Sequence, residues 1–265
     1  MTKLTTALAA TALATTASIA SAQSGMTAVA LSGDNMLHMI DVSTATVTAS
    51  MPVEGVDRLL GIDLRPATGQ LIGVTADFEV VEIDPATGAA TVISTMNTPL
   101  PIEDGAAVIV DFNPMADKLR FMSGVTNHRV DVDTGAVTVD GSLAYVEADM
   151  HAGEAPAIVA AAYINSYGRP ESTAMYDIDA TIVALIRQVS PNDGTLAAVG
   201  LLGIDATDAY AFDIATDAEG TNTGWLVAGS TLYTVSLETG AVGDNWALTG
   251  ADGVTVRDIT FMTAM

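Results

Sequence analysis

Five polar residues recur at the ends of short apolar runs, Asp63, Asp111, Asn165, Asp213 and Asp258, at intervals of 45 to 54 residues. If the chain repeats a unit of that length around one axis, four carboxylates and an amide would gather near it. Such an all-oxygen set suits a hard cation such as Ca²⁺. On this reading Asp63, Asp111, Asp213 and Asp258 are metal ligands and Asn165 is a neutral ligand-binding group. The rival reading needs no ligand, because an Asp just before a turn caps it by accepting backbone N–H bonds. The LRP-ATG and FNP-MAD sequences after Asp63 and Asp111 allow that reading equally.

A second grouping lies in the stretch EADMHAGE, where Asp149, His151 and Glu154 follow Glu147. An imidazole among carboxylates can hold a divalent cation or a polar ligand, against the plainer reading of a solvated acidic loop. The pairs Asp131/Asp133 and Asp177/Asp179 lack the Asp-Gly that follows in a calcium loop and are weak signals. His38 and His128 fall inside β-type runs, where packing accounts for them. Arg65, Arg120 and Arg129 stand beside the acidic series in sequence and are expected to form ion pairs between strands. The chain has no G-x-S-x-G, no H-E-x-x-H, no phosphate-binding loop and no cysteine, so motifs for nucleophilic or thiolate chemistry are missing.

Composition narrows the partners. Nine Lys and Arg stand against 32 Asp and Glu, a formal charge of −23 that would repel nucleic acid and anionic lipid surfaces. Charged residues make up only 15% and hydrophobic ones 49%, which excludes a disordered chain and a coiled coil. Met1–Ala22 carries Lys3, a mildly apolar Ala/Leu/Thr stretch and Ala20-Ser21-Ala22, the pattern of a secretory signal cut before Gln23. A periplasmic or secreted protein without a membrane span is therefore expected.

Something must position the recurring carboxylates, and the repeat supplies it. Residues 58–94 parse into four short strands with turns at Ala67-Thr68-Gly69 and Pro85–Gly88, and the stretches beginning near 106, 157 and 210 repeat that order. The Ala-rich opening of the third copy is read as a strand. The fifth copy is split, since VRDITFM near the C-terminus supplies a first strand and residues 27–51 supply the other three. Units of this size, with one terminus completing a sheet begun by the other, predict an all-β, five-bladed β-propeller in a single domain of residues 23–265. Its blades are 254–265 plus 26–53, 57–96, 105–143, 155–200 and 208–248. Packed antiparallel β-sheets are the alternative.

GIDLRPATGQL from Gly61, VDFNPMADKLR from Val110, AYINS from Ala162 and QVSPNDGTLAAVGLLG from Gln188 resemble a bacterial family of exported proteins classed as a domain of unknown function. The resemblance spans nearly all of residues 27–262 and implies the repeat fold and export. It implies no reaction and no catalytic residues. Where that family often has Tyr in its second strand, this chain has Ile72.

Two functions follow. The first is an exported, monomeric, non-enzymatic binding or scaffolding propeller that engages a small molecule, a glycan or a protein through its channel mouth or loops. The second is a Ca²⁺-dependent hydrolase of lactones, esters or glycans using a channel-centred cation with a carboxylate as base.

Overall fold

The computed structural model describes residues 25–262, so the expected secretory signal lies outside the described residues. Blade one contains β1 (Thr27–Ser32), β2 (Met36–Asp41) and β3 (Thr46–Pro52). Blade two is β4 (Leu59–Arg65), β5 (Gln70–Thr75), β6 (Glu79–Ile83) and β7 (Ala90–Thr95). Blade three is β8 (Ile109–Asn113), β9 (Lys118–Ser123), β10 (Thr126–Asp131) and β11 (Ala136–Val139), followed by the two-residue β12 (Ala144–Tyr145). Blade four is β13 (Ile158–Tyr163), β14 (Met175–Asp179), β15 (Ala184–Ser190) and β16 (Thr195–Leu201). Blade five is β17 (Tyr210–Thr216), β18 (Asn222–Ala228), β19 (Thr231–Val235) and β20 (Val242–Ala247), and the described chain ends with β21 (Val256–Met262).

β21 pairs antiparallel with β1, Ala28 opposite Phe261 and Ala30 opposite Ile259, and so becomes the innermost strand of blade one. The innermost strands β21, β4, β8, β13 and β17 then touch in sequence, and β17 meets β21 to close the ring. This is the five-bladed propeller that the split repeat predicts. Five separate sheets around one axis exclude the alternative of packed sheets.

The hydrophobic core is divided into five layers, each filling the space between neighbouring blades. Trp225 and Phe261 pack between blades five and one, and Phe112 and Phe121 between blades two and three. Inner strands therefore have buried residues on both faces, as in β4 and β17, and read as continuous apolar runs. Outer strands such as β3 and β7 are mostly exposed or half-buried. Residues 158–163 are a strand because three consecutive alanines, Ala160 to Ala162, fit between close-packed neighbouring inner strands.

The outer hairpins carry a second device. Glu54, Asn97, Ala144 and Thr249 each donate a backbone N–H to the carbonyl of a turn residue in the next blade, Gly88, Gly135, Gly194 and Ala45 respectively. Gly135 has φ 71°, and a Cβ there would lie 2.0 Å from the Thr95 carbonyl oxygen. Glycine is needed for the close approach as much as for the turn. The repeat did not foretell β12, which runs parallel to β16 and gives blade four a fifth strand. It covers an edge that would otherwise present unpaired backbone groups. No helix among the described residues is long and apolar enough to cross a membrane.

Candidate functional site

Around the axis, the structurally equivalent residues are Asp63, Asp111, Ala162, Asp213 and Thr260, the second residue of the runs IDL, VDF, AAY, FDI and ITF. Their equivalence is visible in the hydrogen bonds. The Phe112 N–H donates to Asp63 Oδ2 at 2.7 Å, the Tyr163 N–H to Asp111 Oδ1 at 2.9 Å, and the Phe261 N–H to Asp213 Oδ2 at 3.1 Å. In each case the donor directly follows the equivalent residue of the next blade. Thr260 completes the scheme by accepting from the Leu64 N–H and donating its hydroxyl to Asp63 Oδ1. Four of the five blade-to-blade steps are thus spanned by a side chain. Capping of the Asp's own hairpin is not what these carboxylates do; they fasten one inner strand to the next.

The fifth step lacks such a clip because Ala162 has no polar atom on its side chain. Asn165, expected at the axis, lies beyond β13 with φ 62° and fastens blades four and five elsewhere. It exchanges hydrogen bonds with Asn222, and the neighbouring Ser166 N–H donates to Thr216 Oγ1. Asp258 is two residues before the ring position and accepts from the Ile62 and Ile259 N–H groups. Gly61 makes room for it, since a Cβ there would stand 2.8 Å from Asp258 Oδ2.

Among the described residues, Asp63, Asp111 and Asp213 form one cluster in which a carboxylate oxygen from each lies within 4.8 Å of the others. All three are buried. Burial, together with the Asp213 charge, pushes the Asp63 carboxyl well above the usual range, and burial plus the Asp63 and Asp213 charges does the same for Asp111. Burial raises Asp213 to about 6 and Asp258 to about 7. A cavity of about 10 Å³ beside Asp63, Asp213 and Thr260 has room for one water-sized or ion-sized occupant.

The other expected groups have local tasks. Asp149 accepts from the His151 N–H and from the Ala198 N–H of β16, so both its oxygens tie down the loop. His151 Nδ1 lies 3.0 Å from Glu154 Oε2, and the three do not converge on a common point. Arg65 pairs with Asp117 and Asp133, while Arg120 and Arg129 share Asp140; none of these guanidiniums reaches the axial carboxylates. Asp131 pairs with Lys118, and Asp179 accepts from Tyr145 Oη and the Ala157 N–H. The Asp177 carboxyl is wholly buried, with Oδ2 lacking a hydrogen-bond partner, and burial pushes it up to about 8.

The sequence reading pointed to the channel mouth but to none of the residues that line it. At the end where the inner strands begin there is a pocket of about 270 Å³. Every blade contributes to it: Arg257 from blade one, Arg58 and Leu60 from two, Val108 from three, Val159 from four and Tyr210 from five. The pocket is concave and mixed in polarity, close to the lower size of small-molecule sites.

A family model described as Domain of unknown function (DUF4394) matches residues 36–260. The chain is similar to a solved protein of unknown function from Bacteroides thetaiotaomicron VPI-5482, with 14% identity, TM-score 0.50, and coverage of 88% of this chain and 63% of that one. It is also similar to one from Bacteroides caccae, with 11% identity, TM-score 0.44, and coverage of 84% and 73%. A luciferin-regenerating enzyme matches with 13% identity, TM-score 0.48, and coverage of 82% and 70%. No match was found among curated proteins. Likeness at such identities speaks for the fold alone.

Proposed function

The chain belongs to the DUF4394 family, a domain of unknown function, and on that footing we propose that it is an exported, non-enzymatic binding propeller whose ligand sits in the channel mouth. One observation carries this: all five blades converge on a single pocket of about 270 Å³. A site assembled from every blade is held rigidly by the whole ring, which lowers the cost of ordering it on binding. The pattern of Met1–Ala22 supports export, and a start at Gln23 in secreted material would bear on it directly.

The second reading, Ca²⁺-dependent hydrolysis at the axis, is favoured by the three convergent carboxylates. Yet each of them already accepts at least one backbone N–H bond, and the adjacent cavity of about 10 Å³ is too small for a sugar, ester or lactone. A cation there would key the blades together and would not meet substrate. The two readings part on a simple assay. Incubation with a lactone, an aryl ester and an aryl glycoside in excess Ca²⁺ is expected to give no turnover above buffer. Ligands found by a fragment screen are expected to shift backbone NMR signals of the mouth residues on all five blades. Turnover lost on Asp213→Asn, with no mouth binding, would overturn the proposal.

A further inference from the structure

Two of the chain's nine Lys and Arg residues line the mouth pocket, in a protein with 32 acidic ones. They differ in how they are held. The Arg257 guanidinium is gripped by backbone carbonyls: Nε donates to Gly33 O at 2.8 Å, Nη1 to Leu60 O at 3.0 Å, and Nη2 to Asp34 O at 3.2 Å and to Leu59 O. No carboxylate forms an ion pair with it among the described residues. Carbonyl dipoles orient the guanidinium and the Asp258 and Asp34 charges favour it from a distance, while burial and the neighbouring Arg58 work against its charge. Arg58 stands at the same mouth with its side chain 58% exposed, and its nearest acid, Asp34, is 3.7 Å away, too far for a hydrogen bond. The lining is otherwise mainly small and apolar, with Asp208 as its one carboxylate.

We propose that the mouth recognises an organic monoanion, a carboxylate carried on a compact apolar body. The carboxylate would face Arg58 and Arg257 while the body packs on Leu60, Val108, Val159 and Tyr210. This rests on the reading of the mouth as the binding site and adds the chemistry of the ligand. Arg58 presents its guanidinium donors in a fork that matches a carboxylate, whereas Arg257, with four of its five N–H groups taken by carbonyls, adds its positive charge and one N–H. Arg257 is already fixed by both blade one and blade two, so little side-chain freedom is lost on binding. The charge of −23 disfavours multiply charged anions, which leaves the singly charged class.

Calorimetric titration of the purified protein with benzoate, benzamide and benzylammonium tests this. Benzoate is expected to bind at least about tenfold more tightly than benzamide, a difference of about 1.4 kcal/mol and close to the lower end for one charge-assisted hydrogen bond. Arg58→Gln should weaken benzoate by about tenfold and leave benzamide unchanged, with the melting temperature unaltered because that side chain is exposed. Ala209→Trp, or Ala106→Trp should the first fail to fold, should fill the pocket and abolish binding. Equal affinity for benzamide or benzylammonium, or indifference of benzoate to Arg58→Gln, overturns the monoanion assignment. If the neutral probe binds and Ala209→Trp blocks it, the mouth reading stands without the charge claim. If none of the three probes binds, both fall.

Discussion

The axial carboxylates are held in an environment that prefers them protonated. Asp213 and Asp258 retain their protons up to about 6 and about 7 in the fold, and Asp177 up to about 8, while each would lose its proton near 4 in the unfolded chain. Between those limits the native state binds more protons, so its stability falls as pH rises from about 4 to about 8. In chelator, the melting temperature is expected to drop between pH 5 and pH 8. Calcium binds the deprotonated groups, so it should raise the melting temperature more at pH 8 than at pH 5. Asp111→Asn combined with Asp213→Asn should remove that calcium effect. Scanning calorimetry at both pH values, with Ca²⁺ and with chelator, checks the set, and identical curves with and without calcium would leave the axis without a metal role. Thr260→Val, an isosteric change that deletes the hydroxyl between Leu64 and Asp63, is expected to cost about 1–3 kcal/mol in urea unfolding. The sequence exposed three of the ring positions because Asp is conspicuous between apolar neighbours. Thr260 and Ala162 were hidden because they look like ordinary strand residues, although their neighbours match the IDL and VDF pattern. Asn165 drew attention by its polarity, and the long 54-residue interval before it was the sign that the register had slipped.

Strands and hairpins were legible because turn chemistry punctuates them: Thr-Gly and Asn-Asp-Gly sit where the backbone must turn back. What the turns touch was not legible, since the close approach of Gly135 to Thr95 joins segments from different blades. That approach separates two kinds of glycine. Gly124 has φ 55° and open space around its missing Cβ, whereas Gly135 has φ 71° and a carbonyl oxygen in the way. Gly124→Ala should cost about 1–2 kcal/mol through backbone strain alone. Gly135→Ala should cost more than that, because the Asn97-to-Gly135 hydrogen bond must also lengthen. Chemical denaturation of the two variants side by side measures the difference, and equal losses would mean that the outer hairpins do not fasten the blades. The addition of β12 to blade four was beyond sequence reading for a related reason, as its pairing is parallel and two residues long.

For the molecule as a whole, five inter-blade layers mean that no single blade owns a core, so stability depends on the closed ring. Deletion of residues 254–265 removes β21, the inner strand of blade one, and with it the Asp213-to-Phe261 and Asp63-to-Thr260 hydrogen bonds. The truncated chain is expected to lose its cooperative thermal transition by circular dichroism, and a melt like that of the full chain would show that the ring does not need its clasp. Repeat length and the split copy made this closure readable from sequence; which residues line the mouth was not, because it depends on which loops face which end. The clasp also sets a timetable. The ribosome makes β1 to β3 before the other four blades and their fourth partner after them, so blade one waits incomplete while blades two to five are made. Its pairing joins residues more than two hundred positions apart, which makes closure a late and entropically costly event. Until then the ring stays open, four complete blades joined to a three-stranded sheet whose inner edge is unpaired.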